Sequence, residues 1–389
     1  MIAIITGLLI GMLAGITPGL HPNTLMPLTI ILFAWLEPTQ FAILLVVLII
    51  TANYFEFIKT TYLSSPDEGS SLSLRYTQQL LMDGRGAEAI KLLSIGALGA
   101  TLITAMITPL IISLVPAVYA LISDYVALAL ILLSLHLILK EGEQIGKATI
   151  IFTLSGILGI LVLRTQIINQ PLLPLLAGLY STSNIINNIK KQNNVPTQMS
   201  RVVTDVDRKI AIKGIMKAVM SSSIITFLPA IGPSQASIIS HELVRTNDEK
   251  EKLITLGGVN TGDVLFSITA LFAINKSRSG VIQQINKSVL NYNNYLLLII
   301  TAAITAIICY IIINKMAYGI SKQISKINYT KLNKVLLIFV IGLVLLINGW
   351  IGILVLLTAT LIGMKSNDYD INQNHLMAAI ILPTIIYYL

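Results

Sequence analysis

Two short patterns place polar chemistry inside apolar runs. Asn53-x-x-Glu56 lies in the run 40–62, and Asn260-x-x-Asp263 lies in the run 253–274. Both members share one offset, 207 residues (260 − 53 and 263 − 56). A carboxylate inside a membrane-spanning helix is costly unless paired or solvated, and it marks an ion or proton site by default. Glu56 and Asp263 are therefore candidate ion-coupling residues, with the Asn53 and Asn260 amides as neutral partners. Lys59 follows Glu56 by three residues on the same helix face, so an intrahelical Glu56–Lys59 pair is the competing structural reading.

Ahead of each pattern the helix breaks. Gly11–Thr24 reads GMLAGITPGLHPNT and Ser222–Gln235 reads SSIITFLPAIGPSQ. Pro18 matches Pro229 and Pro22 matches Pro233, both at a spacing of 211 (229 − 18 and 233 − 22). Each proline removes a backbone donor and clashes with the preceding turn. In lipid, the freed backbone groups survive only against protein or a watery cavity. Exposed helix ends offer amide donors at an N-terminus and carbonyls at a C-terminus, the first suited to an anion and the second to a cation. The candidate substrate-binding residues are Pro18, Gly19, Leu20, His21, Asn23 and Thr24 in one break. Pro229, Gly232, Pro233, Ser234 and Gln235 are those in the other. His21 has no counterpart and reads more readily as a structural donor than as a proton carrier. The plainer alternative is that these prolines mark loops between ordinary spans.

Arg85 and Arg278 lie in the loops that follow the polar spans. A guanidinium fork recognises carboxylate or phosphate in bidentate fashion, and interfacial anchoring is the alternative use. Asp67 and Glu68 are placed to cap a following helix. No metal site is expected there, since no histidine or further carboxylate lies at ligand spacing. The chain has no Walker-type loop, HExxH or GxSxG, so no catalytic residue, cofactor or enzymatic activity is expected.

The elements that position these residues follow from composition. The chain is 55% hydrophobic and only 11% charged, less than half the charge of a typical soluble domain. Several apolar runs reach the ~20 residues of a bilayer-spanning helix. The fold class is an all-α polytopic membrane protein with about 10–14 hydrophobic segments, arranged as two inverted repeats, each with a Pro-broken re-entrant hairpin. No cleavable signal peptide is evident in residues 2–17. The lone Cys309 excludes an internal disulfide. The net charge of +8 falls in loops expected to be cytoplasmic, so nucleic acid is not a partner.

Spans are expected at 40–62, 92–112, 114–138, 148–164, 171–187, 253–274 and 292–314, with further apolar segments at 335–363 and 374–389. Residues 64–91 and 315–334 read as polar loops. Residues 1–187 form the first repeat with its following spans. A basic linker, 188–217, holds seven Lys or Arg against Asp205 and Asp207 and reads as a cytoplasmic joint. Residues 218–314 form the second, inverted repeat, and 315–389 form the C-terminal segments.

The stretch GLLIGMLAGITPGLHPNTLMPLT resembles the opening motif of the large membrane subunit of tripartite tricarboxylate transporters (TctA-like), in its shorter archaeal branch. The loop YLSSPDEGSSLSLRYTQQLLMDGRGAEAIKLLSIGALGA and the segment FLPAIGPSQASII are similar to later motifs of that family. His21 and Pro22 replace small residues of the family pattern, and Asp67-Glu68 replaces uncharged ones. The resemblance implies a plasma-membrane secondary transporter of small carboxylates, coupled to protons or sodium, whose site is lined by Pro18-Gly19-Leu20 and Pro229–Pro233. It also implies a small membrane subunit and a binding protein as partners, beside membrane lipids, and a homodimer is a further assembly open to the chain. The alternative function is a lipid-carrier translocase, which would bind a polyprenyl-phosphate head group at the same broken helices.

Overall fold

The computed structural model describes residues 2–25, 29, 36–165, 168, 170–191, 195–199, 206–227, 236–237, 248–286, 289–326 and 328–389. Seven of its helices are long and apolar enough to cross a membrane: Pro38–Leu63, Gly86–Ile111, Val115–Leu139, Gly142–Arg164, Glu249–Ile274, Tyr292–Ile324 and Tyr329–Asp368. We label helices in chain order. The first half holds α1 (Ile2–Ile16), α2 (Pro38–Leu63), α3 (Ser71–Met82), α4 (Gly86–Ile111), α5 (Val115–Leu139) and α6 (Ile145–Arg164). A composite rod follows, made of α7 (Leu172–Leu176), a π-helical segment (Ala177–Thr182) and α8 (Ser183–Lys191). The rest comprises α9 (Arg208–Phe227), α10 (Glu249–Ile274), α11 (Tyr292–Ile324), α12 (Tyr329–Asp368) and α13 (Ala378–Tyr388).

The two helices that carry the polar patterns, α2 and α10, form the centre. Within their most apolar windows 89% and 78% of residues are buried, more than in any other described span. Each runs 26 residues, about 39 Å at 1.5 Å per residue, enough to cross the ~30 Å hydrocarbon core. At 15 residues, or about 22 Å, α1 is too short to cross alone.

Glycines set the close approaches. Along α1, a Cβ on Gly7 would lie 2.8 Å from the Leu44 carbonyl oxygen, one on Gly11 2.5 Å from that of Leu48, and one on Gly15 2.6 Å from that of Ala52. Three small residues one turn apart let two apolar helices touch backbone to backbone, which in lipid supplies packing that the hydrophobic effect cannot. The contacts advance together, so α1 and α2 run parallel.

The pair α9–α10 repeats this register. Gly214 faces the Glu251 carbonyl at 3.0 Å, Gly258 faces Ala218, and the Ser222 hydroxyl donates to the Val259 carbonyl at 3.0 Å. Gly7–Leu44 and Gly214–Glu251 differ by 207 residues at both members, as do Gly15–Ala52 and Ser222–Val259 (214 − 7, 251 − 44, 222 − 15, 259 − 52).

Directions follow from the contacts as well. Tyr62, at the end of α2, packs on Gly86, at the start of α4, so these two run in opposite senses. Gly257 packs on Leu93, and the Thr261 hydroxyl donates to the Ala97 carbonyl at 3.1 Å, so α10 runs with α4. The α1–α2 and α9–α10 pairs therefore point in opposite directions.

Several boundaries differ from the sequence reading. The polar stretch 64–91 contains α3 and the first turn of α4. Residues 315–334 are not a loop: α11 continues to Ile324 and α12 starts at Tyr329, because lysine is a good helix former and no proline intervenes. The linker 188–217 is helical up to Lys191 and again from Arg208. Within α12 the path kinks at Gly349, whose φ of 62° only glycine adopts readily.

Candidate functional site

The first break is a tight turn placed by α1. Gly15 brings the end of α1 against Phe55 and the Glu56 backbone. The chain then turns through Pro18 and Gly19, whose φ is 76°, with the Leu20 amide donating to the Thr17 carbonyl at 3.2 Å. A 3-10 turn, Pro22–Leu25, restarts the chain, and the Asn23 amide donates to His21 Nδ1 at 3.2 Å. In this bond His21 accepts rather than donates. Asn23 Oδ1 is buried and has no hydrogen-bond partner among the described residues. The side chain of Thr24 and all of Pro229, Gly232, Pro233, Ser234 and Gln235 lie outside the described residues.

The break meets the second half of the chain. A Cβ on Gly280 would lie 3.0 Å from Asn23 Oδ1, and the Thr29 hydroxyl donates to Gln284 Oε1 at 3.1 Å. Two residues before Gly280, Arg278 Nη1 donates to Asp263 Oδ2 at 2.5 Å. Asn53 Nδ2 donates to the Asn260 carbonyl at 3.1 Å, so the two matched asparagines also touch. Asn23, Arg278 and Asp263 are thereby gathered by the first break, the loop after α10 and α10 itself.

Glu56 does not pair with Lys59. Its Oε1 accepts from the Ser70 hydroxyl at 2.5 Å and from the Asp67 amide at 3.2 Å. Lys59, fully buried, donates to Asp67 Oδ2 at 2.7 Å. The cause is the end of α2: Ser64 adopts the left-handed conformation (φ 49°) and turns the chain back over the last turns of its own helix. Asn275 ends α10 in the same way (φ 57°). Three residues beyond each cap stand Asp67 and Arg278, and two further on stand Gly69 and Gly280, every pair 211 apart (275 − 64, 278 − 67, 280 − 69). The counterpart of Arg278 by place in the fold is thus Asp67, with the charge reversed.

The two arginines are not equivalent in use. Arg85 precedes the first turn of α4 and gives Nε and Nη2 to the two Glu88 oxygens, each at 2.8 Å, which occupies its fork and pushes its pKa up. Arg278 has five N–H donors, and the Asp263 bond is its one hydrogen bond among the described residues. Its fork remains available.

Two cavities flank the Ser64–Ser71 loop. A small one of 60 Å³ is lined by Gly19, His21, Asn23, Asp67, Ala177 and Ser181. Its far wall is the π-helical segment, where the Thr182 hydroxyl bonds back to the Ala177 carbonyl at 2.8 Å. Single π turns inside α-helices recur at functional sites. On the other side lies a polar cavity of 800 Å³ that touches Ser64, Ser71, Arg75, Asn184, Asn367 and His375. Gln373 Nε2 bridges Asn184 and Asn367 there at 2.9 and 2.7 Å, and His375 Nε2 lies 2.9 Å from Glu141. Sequence reading missed this cavity, since its walls come from separate segments with no shared spacing. It also missed the buried Lys217–Glu251 pair, in which both side chains are at most 5% exposed. Among the described residues no group of three or more His, Cys, Asp or Glu is placed to hold a metal.

A bundle of apolar helices that collects charged and amide groups around a broken helix is the architecture of a multi-pass membrane protein. The chain belongs to the Tripartite tricarboxylate transporter TctA family, whose pattern matches residues 1–378. It is a multi-pass protein of the plasma membrane. Uncharacterized protein MJ1079 of Methanocaldococcus jannaschii is 29% identical over 399 residues, spanning 99% of this chain and 98% of that one. No solved structure matches the chain.

Proposed function

We propose that the chain is the ion-coupled, carboxylate-translocating subunit of a secondary transporter, with the anion held between the first break and the loop after α10. The observation that carries this reading is the Arg278 guanidinium, which makes one hydrogen bond among the described residues, two positions before the Gly280 backbone that packs on Asn23 Oδ1. A carboxylate takes two parallel N–H bonds from such a fork. Membership of a tricarboxylate transporter family favours a small organic anion. Glu56, Asn53, Asn260 and Asp263 are the groups at hand for coupling.

The equal contact registers and opposite directions of α1–α2 and α9–α10 support two inverted copies. The first lies within 1–187 and the second within 218–314, joined by 188–217 and followed by 315–389. Inverted copies give two similar conformations that open to opposite sides, which is the mechanical basis of alternating access. The 800 Å³ polar cavity, near Lys140 and Lys252, is the water-filled approach on the side of the basic joint. A small membrane subunit and a soluble binding protein are the partners that family membership points to.

Uptake of labelled citrate into proteoliposomes tests the reading. Flux driven by an imposed proton or sodium gradient is expected, and Arg278→Ala removes it. Flipping of polyprenyl phosphate without citrate flux would move the chain to the lipid-carrier reading.

A further inference from the structure

We propose that the coupling ion is a proton, carried on Glu56 of the first half alone, while Asp263 stays neutralised by Arg278. This rests on the transport reading above and divides the labour between two carboxylates that the sequence makes look equivalent.

In the second half one carboxylate, Asp263, meets one guanidinium, Arg278, and the sum is zero. In the first half the residue in Arg278's place is Asp67, so acid faces acid. Among the described residues Lys59 is the only cation within this group, and its bond goes to Asp67 Oδ2 at 2.7 Å. Glu56, 6% exposed, receives only neutral donors among the described residues, the Ser70 hydroxyl and the Asp67 amide. Two carboxylates and one ammonium leave one uncompensated negative charge where burial makes a lone ion costly. A single bound cation removes it.

The geometry selects a proton over a metal ion. Glu56 lines neither cavity, and its Oε1 is already against Ser70 Oγ. A metal ion needs several oxygen ligands and room for itself, whereas a proton needs neither. Access runs through Asp67, which lines the small cavity beside His21 and Asn23 while its own amide touches Glu56. In the step itself a hydronium in that cavity gives a proton to the Asp67 carboxylate and becomes water; Asp67 then gives up that proton as an O–H bond forms on Glu56, and the Lys59–Asp67 pair is restored. The protonated carboxyl then donates to Ser70 Oγ, which reverses the existing bond.

The charged groups that face Glu56 are Asp67 in the loop and Lys59 on its own helix. His21 is the titratable group across the cavity. α1 contains no ionisable side chain. α10 contributes Asp263, already held by Arg278, and α11 contributes Cys309 against Thr51 at 3.5 Å.

Acid-minus-neutral infrared difference spectra of the purified protein in detergent test this without any substrate. Wild type and Asp263→Asn are expected to share one protonated-carboxyl C=O band that Glu56→Gln loses and Ser70→Ala shifts. Sodium at fixed pH is expected to leave the band unchanged. A band that persists in Glu56→Gln, vanishes in Asp263→Asn or is displaced by sodium overturns the proposal. If Glu56→Gln fails to fold, Glu56→Asp takes its place: a shifted band supports the assignment and an unshifted one overturns it. Citrate flux is read separately. Its absence from every variant with the band intact would sink the transport reading and leave the proton site standing.

Discussion

Replacing Arg278 separates structure from function at the centre of the site. Asp263 is 6% exposed, and the Arg278 side chain retains 17% exposure. Breaking a buried pair by removing one partner costs about 3–5 kcal/mol, because the remaining charge is uncompensated. The residual exposure of Arg278 places Arg278→Ala near the lower end, about 3 kcal/mol, or a roughly hundredfold shift in the folding equilibrium. Asp263→Asn combined with Arg278→Ala removes both charges and is expected to recover most of that loss. The cycle then gives a coupling energy of about 2–3 kcal/mol, within the range for residues in one network. Binding behaves differently. A charge-assisted hydrogen bond is worth about 1.5–3 kcal/mol, so citrate affinity falls about tenfold to a hundredfold in the single and in the double variant. Thermal melting and calorimetric titration with citrate, run on all four proteins, give both readouts. A double variant that binds citrate as tightly as wild type would refute the role of the Arg278 fork and leave the arginine a purely structural partner.

Three further outcomes follow from the geometry. Gly257→Leu forces a side chain into the Leu93 backbone between α4 and α10. It should destabilise the protein by about 3 kcal/mol or more in a melting assay, while Gly146→Ala, with nothing within 4 Å, is silent. Burial pulls the pKa of His375 below the usual 6.5, against the opposing effect of Glu141. Its folded pKa is depressed, so the protein is most stable above pH 6.5 and loses stability as the pH falls from there towards the folded value. His375→Gln should flatten that acid limb in melting curves. Cysteines introduced at residues 190 and 280, in a Cys309→Ser background, should react with membrane-impermeant reagent from opposite sides; labelling of both from one side contradicts the inverted arrangement.

The centre of the fold was legible because a charge in an apolar run is rare and its recurrence rarer. The two polar patterns marked the two most buried spans, and Asn53 and Asn260 proved to touch. What stayed hidden was the third dimension of the loops. Lys59 lies one turn from Glu56, which a local rule pairs, yet the left-handed cap at Ser64 carries Asp67 back within its reach. Arg85 and Arg278 looked alike by order in the chain. The nearby Glu88, three residues on, was the available sign that the first fork is already used. The span at 292–314 was legible, but its continuation to Ile324 was not, because lysines at 315 and 322 suggested an interface although nothing there stops a helix. The polar cavity by His375 draws its walls from chain segments that no periodicity links.

A density map of the protein equilibrated with citrate tests the location of the anion most directly. The arrangement predicts a carboxylate within hydrogen-bond reach of the Arg278 guanidinium and the Asn23 side chain, between the first break and the loop after α10. Citrate density confined to the asparagine-lined cavity at His375, with the Arg278 fork empty, would contradict it.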